Sequence, residues 1–206
     1  MLIACLLVGY LLGSFLTAEV VCRVVAHRSA FEVGEGNPGM ASVGRELGAK
    51  AGACVLAGDI LKTVAAWAAA QLLCPADAQV AGLLATLGAT VGHNHPFWHR
   101  FRGGKGVATT CSAIILASPA LGVTASLAGL AVVVLSGYLC WGALAIPVAF
   151  TLLTLATGAA PTVVVASAIL AALMAKAHAN AMSEALAGTR RRASISTKFW
   201  DRVRRR

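Results

Sequence analysis

The chain has 206 residues, 58% of them hydrophobic and only 12% charged, with a formal net charge of +9 and a mean hydropathy of +0.79. A soluble domain carries about a quarter charged residues, so this composition excludes an ordinary soluble enzyme and implies an all-α, polytopic integral membrane protein. The surplus of Lys and Arg suits anionic lipid at a membrane surface, and no soluble nucleic-acid-binding module accompanies it.

A spanning helix needs about 20 apolar residues, with about 17 as the short limit. The first predicted span is Leu2 to Val25. Its first cation is Arg23, so no basic region precedes the apolar run, which favours a retained helix over a cleaved signal peptide. A polar loop follows from His27 to Gly48, then a second span from Ala49 to Leu73 that stops at Cys74-Pro75-Ala76-Asp77. A short third span, Ala78 to Val91, leads into a loop from Gly92 to Lys105.

From Gly106 to Ala175 the chain has no Lys, Arg, Asp or Glu. Basic residues mark the inner face of a membrane protein, and basic clusters bound this stretch on both sides, so it crosses an even number of times. Breaks at Ser118-Pro119, Ser136-Gly137 and Thr157-Gly158-Ala159-Ala160-Pro161 divide it into four segments. The expectation is about seven transmembrane helices, with the N-terminus outside and the C-terminus inside. The short spans leave room for tilted or half-membrane elements.

Two charge pairs fall inside predicted helices. Glu19 and Arg23 are four apart, so they face each other. Asp59 and Lys62 are three apart, and Asp59 lies ~14 Å along the helix from Lys50 at ~1.5 Å per residue. An ion that deep needs a partner. The pair either pins helices together or takes part in catalysis. The six cysteines form no Cys-x-x-Cys pair and read as small core residues. His93 and His95 lack a second ligand cluster, so no metal is expected.

Two loops carry the chemistry. The first reads Gly34-Glu35-Gly36-Asn37-Pro38-Gly39-Met40-Ala41-Ser42-Val43-Gly44-Arg45. Its glycines and Asn-Pro-Gly bring backbone close to a ligand, and Arg45 can grip a phosphate bidentately. The second ends Arg102-Gly103-Gly104-Lys105-Gly106 at the start of a helix, where backbone N–H groups and the dipole favour an anion. On one side of the membrane the two loops would form the halves of an anion cradle.

These motifs resemble a family. Gly-x-Gly-Asn-Pro-Gly with a following Arg, Asp-x-x-Lys in the second helix, and Gly92-His93…Pro96-Phe97…Phe101-Arg102-Gly103-Gly104-Lys105-Gly106-Val107-Ala108-Thr109 are similar to the acyl-phosphate-dependent glycerol-3-phosphate acyltransferases (PlsY type). Gly13-Ser14-Phe15-x-Thr17-Ala18 looks like that family's first helix, and the resemblance runs from about Gly9 to Gly188. It implies an enzyme of the cell membrane with its active site at the cytoplasmic face. The implied reaction moves a fatty acyl group from acyl phosphate to the sn-1 hydroxyl of glycerol 3-phosphate, giving lysophosphatidic acid for phospholipid synthesis. No cofactor is implied, and oligomeric state is left open. Residues 1–188 would be a single acyltransferase-like transmembrane domain and 189–206 a basic cytoplasmic tail against anionic lipid.

The resemblance places Lys105, His93 and Arg45 in catalysis. Glu35, Gly36, Asn37, Gly39, Ser42, Arg102, Gly103, Gly104, Gly106, His178 and Asn180 would bind substrate. His93 would orient the loop or move a proton. An acyl phosphate is already activated, so the residues need only align two anionic substrates and neutralise the departing phosphate.

The chain departs from the family pattern, which has Ser at Glu35, Thr-Asn at Ala41-Ser42, and Asn, Arg and Glu at Ala181, Glu184 and Arg190. A one-residue slip would bring Asn180 into register. Each new carboxylate would oppose the acceptor's phosphate by ~1 kcal/mol. A member with another acceptor, or a non-catalytic protein that binds anionic lipid, are the alternatives.

Overall fold

Helix ends in this chain are set by residues that cannot continue a helix. In the computed structural model, which describes residues 1–204, Pro75 follows the helix Ala49–Leu73, and Cys74 before it is driven out of the helical region at φ −142°. Pro119 and Pro161 each open a helix at its first position, where a missing N–H costs nothing. Gly137 closes one in the left-handed region at φ 85°. Arg205 and Arg206, the end of the predicted basic tail, lie outside the described residues.

The chain forms two compact units, residues 1–117 and 118 onward. The first holds α1 (Leu2–Gly13), α2 (Thr17–Ala26), α3 (Met40–Leu47), α4 (Ala49–Leu73), α5 (Ala78–Asn94) and α6 (Val107–Ala117). The second holds α7 (Pro119–Ser136), α8 (Leu139–Ala156), α9 (Pro161–Leu186) and α10 (Ser194–Arg204). No strand forms among the described residues.

Every predicted stretch is helical, with two differences. The first span is broken between Gly13 and Thr17, and the loop after it contains α3. By length and composition, five segments could cross a membrane: Leu2–Ala26, Ala49–Leu73, Pro119–Ser136, Leu139–Ala156 and Pro161–Leu186. The helices α5 and α6, at 17 and 11 residues, fall short of that length.

The break in the first span is held by its neighbours. It leaves the carbonyls of Ser14 and Phe15 without helical partners. Trp98 donates its indole N–H to the Ser14 carbonyl at 2.9 Å, and Lys62 Nζ donates to the Phe15 carbonyl at 2.9 Å. Irregular backbone at membrane depth has to be satisfied by protein in this way or line a water-filled cavity.

The first unit packs on small residues. Gly9 and Gly13 of α1 face the backbone of Ala85 and Ala89, while Gly88 and Gly92 of α5 face the backbone of Leu6 and Tyr10. A Cβ at any of the four would collide with a carbonyl oxygen. Two Gly-x-x-x-Gly faces thus interlock. Such close approach is how helices associate where lipid is as apolar as a Leu side chain. Cys5, Ala66, Ala70, Ala81, Ala85 and Ala89 fill the same core. In the second unit, Gly129 of α7 and Gly142 of α8 face each other's carbonyl oxygens.

Candidate functional site

The site is built around α4 and the C-terminal end of α5. Asp59 and Lys62 lie one turn apart on α4 with side chains only 4% and 5% exposed, and they form an ion pair at 2.8 Å. The His93 Nδ1 lies 2.8 Å from Lys62 Nζ and 3.5 Å from Asp59 Oδ1. A buried charge needs a partner, and here a carboxylate, an ammonium, an imidazole and the Phe15 carbonyl converge on one another. The expected Asp59–Lys62 pair is therefore part of a larger network that reaches the second loop.

That loop folds back onto the histidine. The Gly104 N–H donates to the His93 carbonyl at 3.0 Å. A Cβ at Gly104 would overlap the His93 ring and come 3.0 Å from the Pro38 carbonyl oxygen of the first loop. Gly103 packs as closely on the backbone of His93 and Asn94. Beside Gly106, a Cβ would press on Asn94 Oδ1. Asn94 Oδ1 and the hydroxyl of Thr110 are buried without a hydrogen-bond partner among the described residues. Lys105 stands half-buried between Gly104 and Gly106, just before α6 begins at Val107.

The first loop is fixed at both ends. Glu19 accepts from Arg23 at 2.9 Å, from the Ser29 hydroxyl at 2.9 Å and from the Ala30 N–H at 2.8 Å. Ser42, buried, donates to the Val33 carbonyl and accepts from the Glu35 N–H, each at 3.2 Å. The Glu35 carboxylate forms an ion pair with Arg45. The two loops meet again at Phe31, whose ring lies 5.6 Å from that of His99 and 5.7 Å below the Arg102 guanidinium.

The first unit thus sets the loop residues Gly103, Gly104, Lys105 and Gly106 against His93 at the end of α5, with Pro38, the centre of the first loop, beside them. Glu35 and Arg45 pair with each other, and Ser42 is committed to holding its loop. Gly36 turns at φ 67°, and Asn37 and Gly39 flank Pro38. His178 and Asn180 lie on α9 in the second unit. His178 is buried there with its Nδ1 3.1 Å from the Met174 carbonyl, and Asn180 is exposed. Among the described residues, no three His, Cys, Asp or Glu side chains gather as metal ligands would. Asn94 and Thr110 were not singled out by sequence, since nothing marks their burial beside Gly106 before the loop is folded.

The family model described as glycerol-3-phosphate acyltransferase matches residues 3–188. The chain belongs to the glycerol-3-phosphate acyltransferase family. A glycerol-3-phosphate acyltransferase from a Thermoanaerobacter species is 32% identical over 193 residues, covering 94% of this chain and 96% of that one. One from Lactobacillus johnsonii is 38% identical over 133 residues, and the match spans 63% of each chain. Among solved structures, the glycerol 3-phosphate form of PlsY, an integral membrane glycerol 3-phosphate acyltransferase, superposes with a TM-score of 0.85 at 26% identity. That match covers 96% of this chain and 98% of that one. The lysophosphatidic acid form gives 0.83 at 25% identity, covering 94% and 96%. The family resemblance carried by the two loop motifs therefore holds along nearly the whole chain.

Proposed function

We propose that this chain is a membrane acyltransferase that moves a fatty acyl group from acyl phosphate to the sn-1 hydroxyl of glycerol 3-phosphate, giving lysophosphatidic acid. Family membership supports the reaction class. The observation that carries the site is the meeting of Pro38, Gly104 and His93 at the start of α6. There, backbone N–H groups, the helix dipole and Lys105 suit a phosphate.

The acceptor hydroxyl attacks the acyl carbonyl. The new C–O ester bond forms, the C–O bond to phosphate breaks, and the electron pair leaves with phosphate, which also takes the hydroxyl proton. No protein nucleophile is needed. Lys105 neutralises the departing phosphate, and Arg45 grips the acceptor's phosphate. Gly36, Asn37, Gly39, Arg102, Gly103, Gly104 and Gly106 shape the cradle, and Ser42 fixes the first loop. The family resemblance also gives His178 and Asn180 a part in binding substrate. His93, tied on one side by Lys62 and Asp59, orients the glycine loop.

The Glu35–Arg45 pair favours one second reading, an acceptor that does not need Arg45 for a phosphate. Purified protein in lipid, given palmitoyl phosphate and a panel of polyol, amine and phosphorylated acceptors, separates the two. Lysophosphatidic acid as the main product by mass spectrometry supports the first. Its absence beside another acyl product supports the second, and no acyl transfer to any acceptor would refute both.

The distribution of Lys and Arg supports an outside N-terminus and a cytoplasmic site in the cell membrane. Cysteines introduced at Asp77 and Ser194, in a Cys54→Ser background, should label from opposite sides. Labelling from one side would overturn this orientation.

A further inference from the structure

Beyond the acyltransferase site, the last helix presents a second surface. The family match ends at Gly188, and α10 begins at Ser194. At 11 residues and with four charges, it is far short of the about 20 apolar residues a span requires. Side chains four apart share a helix face. Ile195, Phe199 and Val203 form one such stripe, 46%, 46% and 48% exposed. Lys198 and Arg202, also four apart, run along one edge of it. The other edge is the packed one, where the Ser196 hydroxyl and the Trp200 indole N–H both donate to the Val134 carbonyl, at 2.8 and 3.1 Å.

The helix is held at a definite level. Val134 is in the last turn of α7, a segment able to span the membrane. The Ala193 N–H donates to the carbonyl of Gly137, just past the end of that helix, at 2.8 Å. The Arg192 guanidinium lies 5.8 Å above the Tyr138 ring. So α10 is fixed beside the end of a helix long and apolar enough to span, and at such an end hydrocarbon would give way to headgroups. Tyr and Trp favour that depth, and Tyr138 and Trp200 both sit there. Between Thr189 and Arg204, Asp201 is the one acidic residue among Arg190, Arg191, Arg192, Lys198, Arg202 and Arg204.

We propose that α10 is an interfacial helix that docks on anionic lipid headgroups, with Ile195, Phe199 and Val203 entering the acyl boundary and Lys198 and Arg202 meeting the lipid charge. An apolar stripe alone would accept neutral lipid. The basic edge beside it selects a negative surface, as in other interfacial amphipathic helices.

The test is hydrogen exchange of residues 194–204, read by mass spectrometry on the full chain in nanodiscs. Exchange is compared between phosphatidylcholine alone and phosphatidylcholine mixed with phosphatidylglycerol. The expected result is exchange several-fold slower in the anionic discs, with the difference fading as salt rises. Each Lys or Arg near such a surface is worth about five-fold in lipid association. Lys198→Gln with Arg202→Gln should therefore remove most of the difference while Ser196 and Trp200 keep the helix on α7. Equal exchange of the unaltered chain in both lipids would overturn the proposal, whatever the variants do. Slowing by an added oligonucleotide, with none by anionic lipid, would overturn it in favour of a nucleic-acid surface.

Discussion

Gly104 lies directly against the imidazole of His93, and its N–H donates to the carbonyl of the same residue at 3.0 Å. The histidine cannot yield, because Lys62 holds its Nδ1 at 2.8 Å. Gly104→Ala should therefore move the loop instead of the ring. A displacement of about 1 Å at a reacting centre costs on the order of 10²-fold in rate. Steady-state kinetics of a folded Gly104→Ala protein should show that loss mainly in kcat. Unchanged kinetics would detach the loop from the site.

The buried network makes a stability prediction. Removing one member of a buried ion pair costs about 3–5 kcal/mol, because the other charge is stranded. Lys62→Met strands Asp59 and also frees the Phe15 carbonyl. It should lower thermal stability in detergent by more than the double variant Asp59→Asn with Lys62→Met. A double variant less stable than Lys62→Met would show that the pair is not the main term.

For Lys105 the expectation is catalytic. A charge-assisted contact to the departing phosphate is absent in Lys105→Ala, and one such donor is worth about 10²–10³ in rate. The variant should remain folded by thermal melting and lose acyl phosphate turnover on that scale. Near-normal turnover would remove Lys105 from the reaction.

Glu35 forms an ion pair with Arg45. An acceptor phosphate that uses Arg45 must displace this carboxylate. The pair is partly exposed, so its strength is about 0.2–1 kcal/mol. Glu35→Ser should then lower KM for glycerol 3-phosphate by up to about five-fold, with kcat little changed. A raised KM would mean that Glu35 assists the acceptor.

The helix ends were legible because they rest on local chemistry. Pro75, Pro119, Gly137 and Pro161 each stop or start a helix through their own backbone. The break at Ser14 to Leu16 was not legible. No proline interrupts the run there, and the carbonyls it bares are met by Trp98 and Lys62 from far along the chain. Likewise, Asp59 and Lys62 were readable as a pair from their spacing, whereas His93 joins them from 31 residues away. Gly9, Gly13, Gly88 and Gly92 look like ordinary small residues of an apolar segment until two backbones meet at them. The pairing of Glu35 with Arg45 depends on how the first loop closes around Ser42, which composition does not determine.

The break in the first span also dictates an order of assembly. Lys62, which satisfies the Phe15 carbonyl, is made 47 residues after it, and Trp98 follows Ser14 by 84. Bare carbonyls in hydrocarbon are costly. While the ribosome is still adding those residues, the emerging segment Leu2–Ala26 lowers the penalty in hydrocarbon by running as one uninterrupted helix. Its broken form should then be a late acquisition, gained when the downstream helices arrive to receive it.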